Sequence, residues 1–482
     1  MMRLWWIVGL LFLGCRTEPD RTRETNTRNS IEFKKVDAYM ATIAERYGIP
    51  GATLAIVKNG KVIHKNHFGH ANLEHQVPVS DSTIFRLYSL TKPFTAVSAF
   101  QLVEEGILSL EDPVSKYIGG LPASWNDIQI KHLLTHSSGL PDMAPYYEFQ
   151  DLTETEAKAK VFGQKLRFNK GEKYDYNQTG FWMLQQIIEK ASGINIEEFV
   201  GKHQFNGAPM NKDVLFSSDS RDIVQNRATP YFFFSKGKLT ADLSYLQGRY
   251  LLSANGLNMD VQRFVKWDKA MGNDILIKAE TKRKMWSLFD YAHSDKQFTY
   301  GWDYHGVNGH ASYGFSGSFV TAYRTFPSNG LSIILLSNGL GSWYNIENAI
   351  NHIAGLVDRD LRIEDNFIFE SLLEKSLKSD FDTFKVYYQE LIADKKYLKV
   401  NFERLLNSIG YMLLNLKENN KALDIFKLNT QEHPTSWNVW DSLGEGYERS
   451  FDTINATKFY QKSVELNPEN THGLEKLKML NE

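Results

Sequence analysis

Residues 85–96 read Phe85-Arg86-Leu87-Tyr88-Ser89-Leu90-Thr91-Lys92-Pro93-Phe94-Thr95-Ala96, and they combine a candidate nucleophile, a candidate base and a helix start. If a helix begins near Ser89, Lys92 lies three residues on, on the same face, and its amine reaches the serine hydroxyl. Pro93 supports a helix start, because proline is tolerated in a first turn but breaks a helix interior. The positive end of the helix dipole would favour an oxyanion formed on attack and a neutral, basic lysine. The stretch therefore predicts a Ser-Lys nucleophile pair.

The four-residue spacing of this pair is a weak pattern on its own. The chain repeats it at Ser235-Lys236-Gly237-Lys238, after an aromatic run and beside a glycine. No helix start is evident there, so we interpret this second occurrence as chance. The assignment of Ser89 and Lys92 therefore depends on the sequence around them.

The composition is that of a globular protein with more than one domain. The chain has 482 residues, and 42% of them are hydrophobic, which is enough for large cores. The formal net charge is −2, with lysine and arginine spread along the chain. No basic surface for nucleic acid is therefore predicted.

The N-terminus has the layout of an export signal. Arg3 precedes an apolar run from Leu4 to Leu13, which is too short to span a bilayer as a mature helix. Cys15 follows and is the only cysteine, so no disulfide within the chain and no cysteine-based metal site can form. Its position resembles a bacterial lipoprotein signal, in which this cysteine is lipidated; an ordinary secretory signal is the alternative. We expect a signal peptide over 1–15, a flexible tether over 16–33 and an exported, membrane-anchored lipoprotein of the bacterial cell envelope.

Strand signals lie on both sides of a mostly helical middle. Ala52 to His64 predict a hairpin whose turn is Asn59-Gly60, the strongest short-range hairpin signal. His67 to Asn72 predict a third strand, and Gly330 to Asn338 predict a buried strand. This arrangement predicts an α+β domain over 34–358, with an antiparallel sheet flanked by helices.

The chain from 401 onward carries an internal repeat with a period of 34 residues. The matched pairs are Gly410 and Gly444, Ala422 and Ala456, Phe426 and Tyr460, and Pro434 and Pro468. This period and these residue types resemble a tetratricopeptide repeat. We expect an all-α repeat module over 401–482, preceded by a helical linker or cap over 359–400. The module either binds a protein or peptide partner or acts as a spacer packed on the first domain, and the sequence favours neither.

Four stretches, in a fixed order, resemble one family. They are Ile49-Pro50-Gly51-Ala52 with its hairpin, the stretch 85–96, Leu102-Val103-Glu104-Glu105-Gly106 with Asp112-Pro113-Val114, and Leu133-Leu134-Thr135-His136-Ser137-Ser138-Gly139-Leu140-Pro141. Together they look like the serine β-lactamase and penicillin-binding-protein superfamily, most of all its class C and D-alanyl-D-alanine carboxypeptidase branch. The resemblance implies a β-lactamase-like domain with a helical subdomain, in which Ser89 is the nucleophile and Lys92 the base.

The second motif of that family, Tyr-x-Asn, is matched by Tyr176-Asn177-Gln178. The resemblance gives Tyr176 the role of relaying a proton to or from the leaving group, together with the lysine. Gln178 then stands where the family usually has asparagine, so an amide for substrate contact is kept one methylene further out. A motif that began at Tyr174 would put asparagine nowhere useful, and a packed aromatic residue is the alternative interpretation of Tyr176.

The third motif, Lys-Thr-Gly or His-x-Gly on a strand beside the site, corresponds to Phe315-Ser316-Gly317. Phe315 replaces the basic residue that helps this family to bind a substrate carboxylate. We therefore expect weak recognition of β-lactams and other anionic substrates, unless Arg324 or His310 supplies a cation.

The replacement of a basic residue by Phe315 changes a side chain of this strand but leaves its backbone N–H groups in place. The N–H of Ser318 does not depend on the side chain at 315 and should complete an oxyanion hole with the N–H of Ser89. The predicted substrate-binding residues are Gln178, Phe315, Ser316, Gly317 and Ser318.

Signals for other chemistry are weak. His132 and His136 have the i, i+4 spacing of a zinc pair, but no glutamate lies beside either and no third ligand is evident. We interpret both as structural. No Gly-x-Ser-x-Gly motif, phosphate-binding loop or dinucleotide fingerprint occurs. We expect neither a metal nor a cofactor.

The sequence thus predicts a serine hydrolase that forms an acyl-enzyme and acts on a small ester, amide or peptide rather than on a β-lactam. The alternative is a cell-envelope binding protein or scaffold that has lost useful turnover and recruits partners through the repeats. The altered motifs at Gln178 and Phe315 motivate that alternative, whereas Ser89, Lys92 and Tyr176 argue for the enzyme.

Overall fold

The structure is a computed structural model. It describes residues 21–145, 152–205, 214–219, 221–233, 238–242, 249 and 251–481. The predicted signal peptide, Cys15 and the first part of the predicted tether lie outside the described residues. Among the described helices, none combines the length and the apolar character that crossing a bilayer requires.

A seven-stranded antiparallel sheet forms the centre of the first domain, as the sequence predicted. The strands of the described part are β1 (Gly51–Lys58), β2 (Lys61–Asn72), β3 (Val77–Pro78), β4 (Phe85–Arg86), β5 (Val214–Phe216), β6 (Tyr231–Phe232), β7 (Thr240–Ala241), β8 (Leu257–Met259), β9 (Asp303–Val307), β10 (His310–Gly317), β11 (Thr321–Phe326), β12 (Leu331–Ser337) and β13 (Gly339–Leu340). The large sheet has the order β3-β2-β1-β12-β11-β10-β9. Two short sheets, β13-β6-β7 and β4-β8-β5, lie beside it.

The first hairpin has the predicted turn and a longer second strand. Asn59 and Gly60 have φ angles of 49° and 71°, as a type I′ turn requires. β2 continues without interruption to Asn72, so the separate third strand predicted at 67–72 is wrong. The register of β1 against β2 shifts once, at Ile56/Val57, and the pairing then runs without a shift from His64 to Gly69, which joins the two predicted strands.

Helices cover both faces of the sheet. They are α1 (Arg21–Tyr47), α2 (Lys92–Glu104), α3 (Ile130–Leu134), α4 (Glu154–Phe162), α5 (Gln178–Ser192), α6 (Ile196–Gln204), α7 (Leu252–Asn255), α8 (Val261–Gly272), α9 (Ala279–Met285) and α10 (Ile346–Val357). Successive residues of β12 alternate between two cores. Ile333 and Leu335 pack with α1 and α10, whereas Ile334 and Leu336 pack in the core that contains α2.

The first helix begins earlier than predicted. α1 is helical from Arg21, whereas the sequence predicted a flexible tether to residue 33. Once the apolar segment that packs on the sheet is helical, each added residue gains a hydrogen bond without a new nucleation cost. Polar residues therefore extend a helix that they would not start, and the tether prediction does not hold for 21–33.

A region of paired helices follows the first domain. Its helices are α11 (Glu364–Lys378), α12 (Phe381–Ala393), α13 (Phe402–Asn415), α14 (Asn419–Glu432), α15 (Trp437–Arg449), α16 (Thr453–Leu466) and α17 (Thr471–Asn481). They have a core of their own, which includes Leu372, Tyr388, Ile409, Phe426 and Leu443. The segment predicted as linker or cap thus contributes two helices to this core.

The helical region packs on the first domain around α1. The guanidinium of Arg46 pairs with Glu370 at 2.6 Å, and its side chain is only 6% exposed. The ring of His352 in α10 stacks on Tyr39 at 4.1 Å and on Phe367 at 4.0 Å. A buried ion pair and stacked rings therefore join the two regions.

Candidate active site

Ser89 and Lys92 lie where a short 3₁₀ turn becomes a helix. The turn spans Tyr88–Thr91, and α2 begins at Lys92 with Pro93 in its first turn. The helix predicted near Ser89 thus begins three residues later, after this turn. The N–H of Leu87 donates to the carbonyl of Leu257 at 2.8 Å, which fixes the chain just before the turn.

The side chains of Ser89, Lys92 and Tyr176 meet. The amine of Lys92 donates to Oγ of Ser89 at 3.3 Å, and the hydroxyl of Tyr176 donates to the same oxygen at 2.8 Å. The Tyr176 distance lies within the range for direct proton transfer, and the Lys92 distance is slightly longer, as catalytic hydrogen bonds often are without a bound substrate. The structure therefore brings together the three residues that the sequence proposed as catalytic.

Lys92 is held in one position by its surroundings. The residue has no exposed area, and its amine also donates to the carbonyl of Ala254 at 3.0 Å. The amine lies 4.9 Å from the ring centre of Tyr176 and 5.2 Å from that of Phe181. These contacts direct the amine toward Ser89.

Tyr176 is positioned by Asn177 and His136. Oδ1 of Asn177 accepts the N–H of Gly180 at 2.9 Å, which caps α5, and its amide donates to the carbonyl of Leu140 at 2.8 Å. The backbone N–H of Asn177 donates to Nδ1 of His136 at 3.2 Å, and the His136 and Tyr176 rings are 4.7 Å apart. Burial, with the charge of Lys92 as a second cause, lowers the pKa of His136 well below 6.5. The ring is therefore neutral at pH 7 and can accept this hydrogen bond.

His132 and His136 have separate partners. The N–H of Gln129 donates to Nδ1 of His132 at 3.2 Å, whereas His136 accepts from Asn177. In the part of the chain that the structure describes, no three or more His, Cys, Asp or Glu side chains are grouped to hold a metal ion. Sequence reasoning missed the place of His136 beside Tyr176; its only signal was membership of the stretch 133–141.

Gln178 begins α5 with a buried side chain. The residue is 7% exposed, and its backbone N–H donates to Oδ1 of Asp142 at 3.0 Å. Burial raises the pKa of Asp142, against the lowering effect of this hydrogen bond. Oε1 of Gln178 is buried and has no hydrogen-bond partner among the described residues. A buried acceptor without a partner costs about 1–3 kcal/mol.

The end of β10 lies against the loop that precedes Ser89. A Cβ at Gly317 would meet the carbonyl oxygen of Leu87 at 2.0 Å, so only glycine permits this approach. Ser318 and Phe319 form the turn to β11, and Ser316 pairs with Ala322 across it. The predicted oxyanion donor, Ser318, thus follows directly on a glycine that touches the nucleophile loop.

Phe315 packs among aromatic rings of the site. Its ring lies 6.4 Å from Tyr176 and 6.2 Å from Phe298, and the residue is 7% exposed. Where the family motif has a cation, this chain therefore places an apolar wall next to Tyr176.

Neither Arg324 nor His310 replaces the missing cation. Arg324 pairs with Gly314, one residue from Phe315, so its side chain points to the other face of the sheet. There it is 1% exposed and pairs with Asp303 at 3.0 Å. His310 is the first residue of β10, about 17 Å along the strand from Phe315 at the usual rise per residue. The suggestion that either residue compensates is therefore wrong.

The fold and this site define a class of protein. A serine flanked by a buried lysine and a tyrosine, between an antiparallel sheet and a helical lobe, is the arrangement of hydrolases that work through a serine-bound acyl group. A family model described as Beta-lactamase matches residues 35–355. The chain belongs to this family of β-lactamase-related serine hydrolases. The match ends before the C-terminal helices.

Two curated proteins are similar to part of this chain. Penicillin-binding protein 4* of Bacillus subtilis (strain 168) is 31% identical over 191 residues, which cover 38% of this chain and 42% of that protein. Protein flp of Staphylococcus aureus (strain MW2) is 28% identical over 185 residues, which cover 35% of this chain and 36% of that protein. The similarity thus spans less than half the length of these relatives.

Solved structures share the fold. The octameric penicillin-binding protein homologue from Pyrococcus abyssi has a TM-score of 0.60 and 26% identity, and the match covers 71% of this chain and 81% of that chain. EstCE1, described as a hydrolase with promiscuous acyltransferase activity, has a TM-score of 0.53 at 18% identity, covering 65% and 94%. A D-stereospecific amidohydrolase from Streptomyces sp. has a TM-score of 0.55 at 19% identity, covering 64% and 95%. The last two likenesses concern the fold alone.

Proposed function

We propose that this protein hydrolyses an ester or amide through an acyl-enzyme on Ser89. The observation that carries the proposal is the convergence of Lys92 and Tyr176 on Oγ of Ser89, at 3.3 and 2.8 Å. Oγ attacks the carbonyl carbon while its proton passes to the Lys92–Tyr176 pair. The N–H groups of Ser89 and Ser318 stabilise the resulting oxyanion. The bond to the leaving group then breaks, and Tyr176 with Lys92 returns the proton to the departing alcohol or amine.

Hydrolysis of the acyl-enzyme uses the same groups in the reverse direction. Water attacks the carbonyl carbon of the ester on Ser89, and the Lys92–Tyr176 pair takes one of its protons. Collapse of the second tetrahedral intermediate returns that proton to Oγ of Ser89. The free carboxylic acid leaves, and the enzyme is restored.

The substrate we propose is an uncharged ester or amide. Phe315 offers no charge for a substrate carboxylate, and Arg324 and His310 do not reach the site, which disfavours β-lactams. Proteins of the same fold carry the names of an acyl-transferring hydrolase and an amidohydrolase. These names support the same range of chemistry for this chain.

A labelling experiment tests the proposal. The purified protein is treated with a fluorophosphonate probe and with a labelled penicillin, and it is assayed on aryl esters. We expect fluorophosphonate labelling and ester turnover that Ser89→Ala and Lys92→Ala abolish and that Ser82→Ala, an exposed serine, leaves unchanged. Absence of serine-dependent labelling together with absence of turnover would contradict the proposed hydrolase function and favour the binding-protein alternative.

We also propose that the C-terminal helices form tetratricopeptide-like repeats. A Cβ at Gly410 would lie 2.4 Å from the Phe426 ring, and one at Gly444 would lie 2.9 Å from the Tyr460 ring. The same contact of glycine with an aromatic ring therefore recurs after 34 residues. Cross-linking of the full chain in cells, followed by mass spectrometry, tests for a partner on these helices against a purely spacing role.

Lipid attachment at Cys15 and a place in the cell envelope stay predictions. Metabolic labelling with an alkyne analogue of palmitate should mark the parent protein and not Cys15→Ser. Equal labelling of both proteins, or of neither, contradicts the lipid anchor.

A further inference from the structure

The turn between β10 and β11 uses residues that its backbone disfavours. Ser318 and Phe319 have φ angles of 48° and 62°, and the N–H of Val320 closes the turn on the Gly317 carbonyl at 2.9 Å. The β1–β2 turn has the same left-handed backbone at Asn59-Gly60, whose residue types tolerate it. A phenylalanine is strained there, because its Cβ approaches a carbonyl oxygen. Turn formation alone therefore does not account for Phe319.

Burial in a core does not account for Phe319 either. The residue is 46% exposed, and its ring packs edge-on at 6.2 Å against Trp343, which is itself 50% exposed. The ring of Phe233 lies 5.4 Å from Trp343. Phe319, Trp343 and Phe233 thus form a partly exposed aromatic group, which we call the aromatic rim.

The aromatic rim adjoins the residues proposed for catalysis. Phe319 directly follows Ser318, the proposed oxyanion donor. On the other side, the strand that leads to the rim ends at Phe232, whose ring lies 6.1 Å from Tyr88, the neighbour of Ser89 in sequence. Phe319 is therefore the chain neighbour of the proposed oxyanion donor, whereas Phe232 and Tyr88 meet in the core that contains α1 and α10.

The position of Tyr176 distinguishes the two sides of a bound substrate. Its phenol returns a proton to the leaving group, so the leaving group must face Tyr176. Phe315 lies 6.4 Å from Tyr176, on the strand before Ser318, whereas the rim begins at the residue after Ser318. The acyl group extends from the carbonyl carbon away from the leaving group, and hence toward the rim.

We propose that the aromatic rim binds the acyl part of an uncharged ester or amide whose acyl group carries an aryl ring. The inference rests on the proposed hydrolase function and names its substrate class. Aromatic rings prefer the edge-to-face arrangement that Phe319 and Trp343 already show, so the ring of a substrate is accepted in the same manner.

A pair of esters with one leaving group tests the rim. The kcat/KM values for 4-nitrophenyl phenylacetate and 4-nitrophenyl acetate are measured for the parent, Trp343→Ala and Phe319→Asn. Asparagine tolerates the left-handed backbone, so this variant removes the ring and keeps the turn. We expect kcat/KM for the phenylacetyl ester to fall about tenfold and that for acetate to stay within about twofold.

The control variant is Phe451→Asn. Phe451 has φ of 63° and is 94% exposed, but it lies in the C-terminal helical region, so both esters should be unaffected. An equal fall for both esters in the rim variants, or no fall for either, overturns the inference. 2-Naphthyl acetate, in which the ring belongs to the leaving group, is assayed with the same variants, and a fall confined to this ester overturns the acyl-side assignment.

A binding measurement tests the role of the aromatic rim independently of the proposed hydrolase activity. Ser89→Ala cannot form an acyl-enzyme. Calorimetry with this variant and phenylacetanilide, an uncharged aryl amide, therefore measures binding without any reaction. Binding that weakens about tenfold when Trp343→Ala is added supports the rim even if the parent protein shows no turnover. Binding that Trp343→Ala leaves unchanged overturns the rim even if the parent protein is an active esterase.

Discussion

The hydroxyl of Tyr176 lies 2.8 Å from Oγ of Ser89, which is closer than the amine of Lys92 at 3.3 Å. The amine also lies 4.9 Å from the centre of the tyrosine ring, so both proton-carrying side chains meet at the serine and the amine faces the ring of its partner. In such an arrangement the phenol and the amine act as one unit, and removal of either should disable the other.

Tyr176→Phe should therefore slow acylation about as much as Lys92→Ala does. A positioned acid or base typically contributes about 10² to 10⁴ in rate, and we expect a loss in this range for each variant. Because the two groups act together, the double variant should be little slower than either single variant. Pre-steady-state release of 4-nitrophenol from an aryl ester measures the acylation rate. Losses that multiply in the double variant would show that the two groups act independently.

His136→Phe should lower kcat without a large change in KM. The substitution keeps a ring beside Tyr176 but removes Nδ1, which accepts the N–H of Asn177. We expect a loss of about 1–3 kcal/mol in the free energy of unfolding, because a buried donor loses its partner. We also expect about a tenfold loss in kcat, because the phenol shifts from the serine.

His132→Phe is the matched control for this prediction. His132 also accepts a backbone N–H, from Gln129, but does not contact Tyr176 in the described structure. It should lose stability to a similar degree and keep its kcat. A parallel fall of kcat in both variants would assign His136 a purely structural role.

Phe315→His should increase acylation by penicillin. The substitution introduces the basic residue that the family motif has at this place, next to Tyr176, where the phenyl ring now packs. We expect the rate of labelling by penicillin to rise about tenfold or more, since a charge-assisted hydrogen bond contributes about 1.5–3 kcal/mol. Phe298→His, in the ring adjacent to Phe315, is the control and should give no increase. Unchanged labelling in Phe315→His would show that anion recognition fails for another reason.

The sequence predicted those parts of the site that local patterns encode. Ser89, Lys92 and Pro93 lie within one turn of chain, and the hairpin at Asn59-Gly60 depends on two residues. The role of His136 could not be predicted, because its contact with Asn177 joins residues 41 positions apart.

Features that depend on register or on distant packing were likewise beyond the sequence. Whether Arg324 faces the site or the opposite core is decided by its pairing with Gly314 across two strands. The strain at Phe319 is visible only in its backbone angle, because a turn of that length accepts many residue types in other conformations. The sequence therefore predicted that Ser89, Lys92 and Tyr176 meet, but neither the place of His136 nor the aromatic rim.

His352 predicts a loss of stability on acidification. Burial, followed by the charges of Arg362 and Arg46, lowers its pKa from 6.5 to about 4. Between these values the unfolded chain binds a proton that the folded protein does not, so the free energy of unfolding rises with pH. This stability is complete above pH 6.5 and decreases as the pH falls toward 4. The change amounts to about 3 kcal/mol, at about 1.4 kcal/mol for each pKa unit.

His352→Phe tests this contribution. The variant keeps a ring between Tyr39 and Phe367 and removes the titrating group. The difference in free energy of unfolding between pH 7 and pH 4.5, measured by urea titration, should be about 2 kcal/mol smaller than in the parent. Part of the dependence should persist, because His132 and His136 also have lowered pKa values. An unchanged pH dependence would mean that the interface around His352 admits water.

Gly410→Ala and Gly444→Ala should destabilise the C-terminal helices and spare the active site. The added Cβ would lie 2.4 Å from the Phe426 ring in the first variant and 2.9 Å from the Tyr460 ring in the second. Helices at such distances must move apart, which typically costs about 1–3 kcal/mol. Gly272→Ala in α8 is the control: nothing lies within 4 Å of its Cβ, and alanine favours a helix, so stability should hold or rise slightly. Calorimetry measures the stability of each variant, and ester turnover at 25 °C measures the activity of the site. A loss of turnover in Gly410→Ala or Gly444→Ala would show that the helical region shapes the catalytic domain.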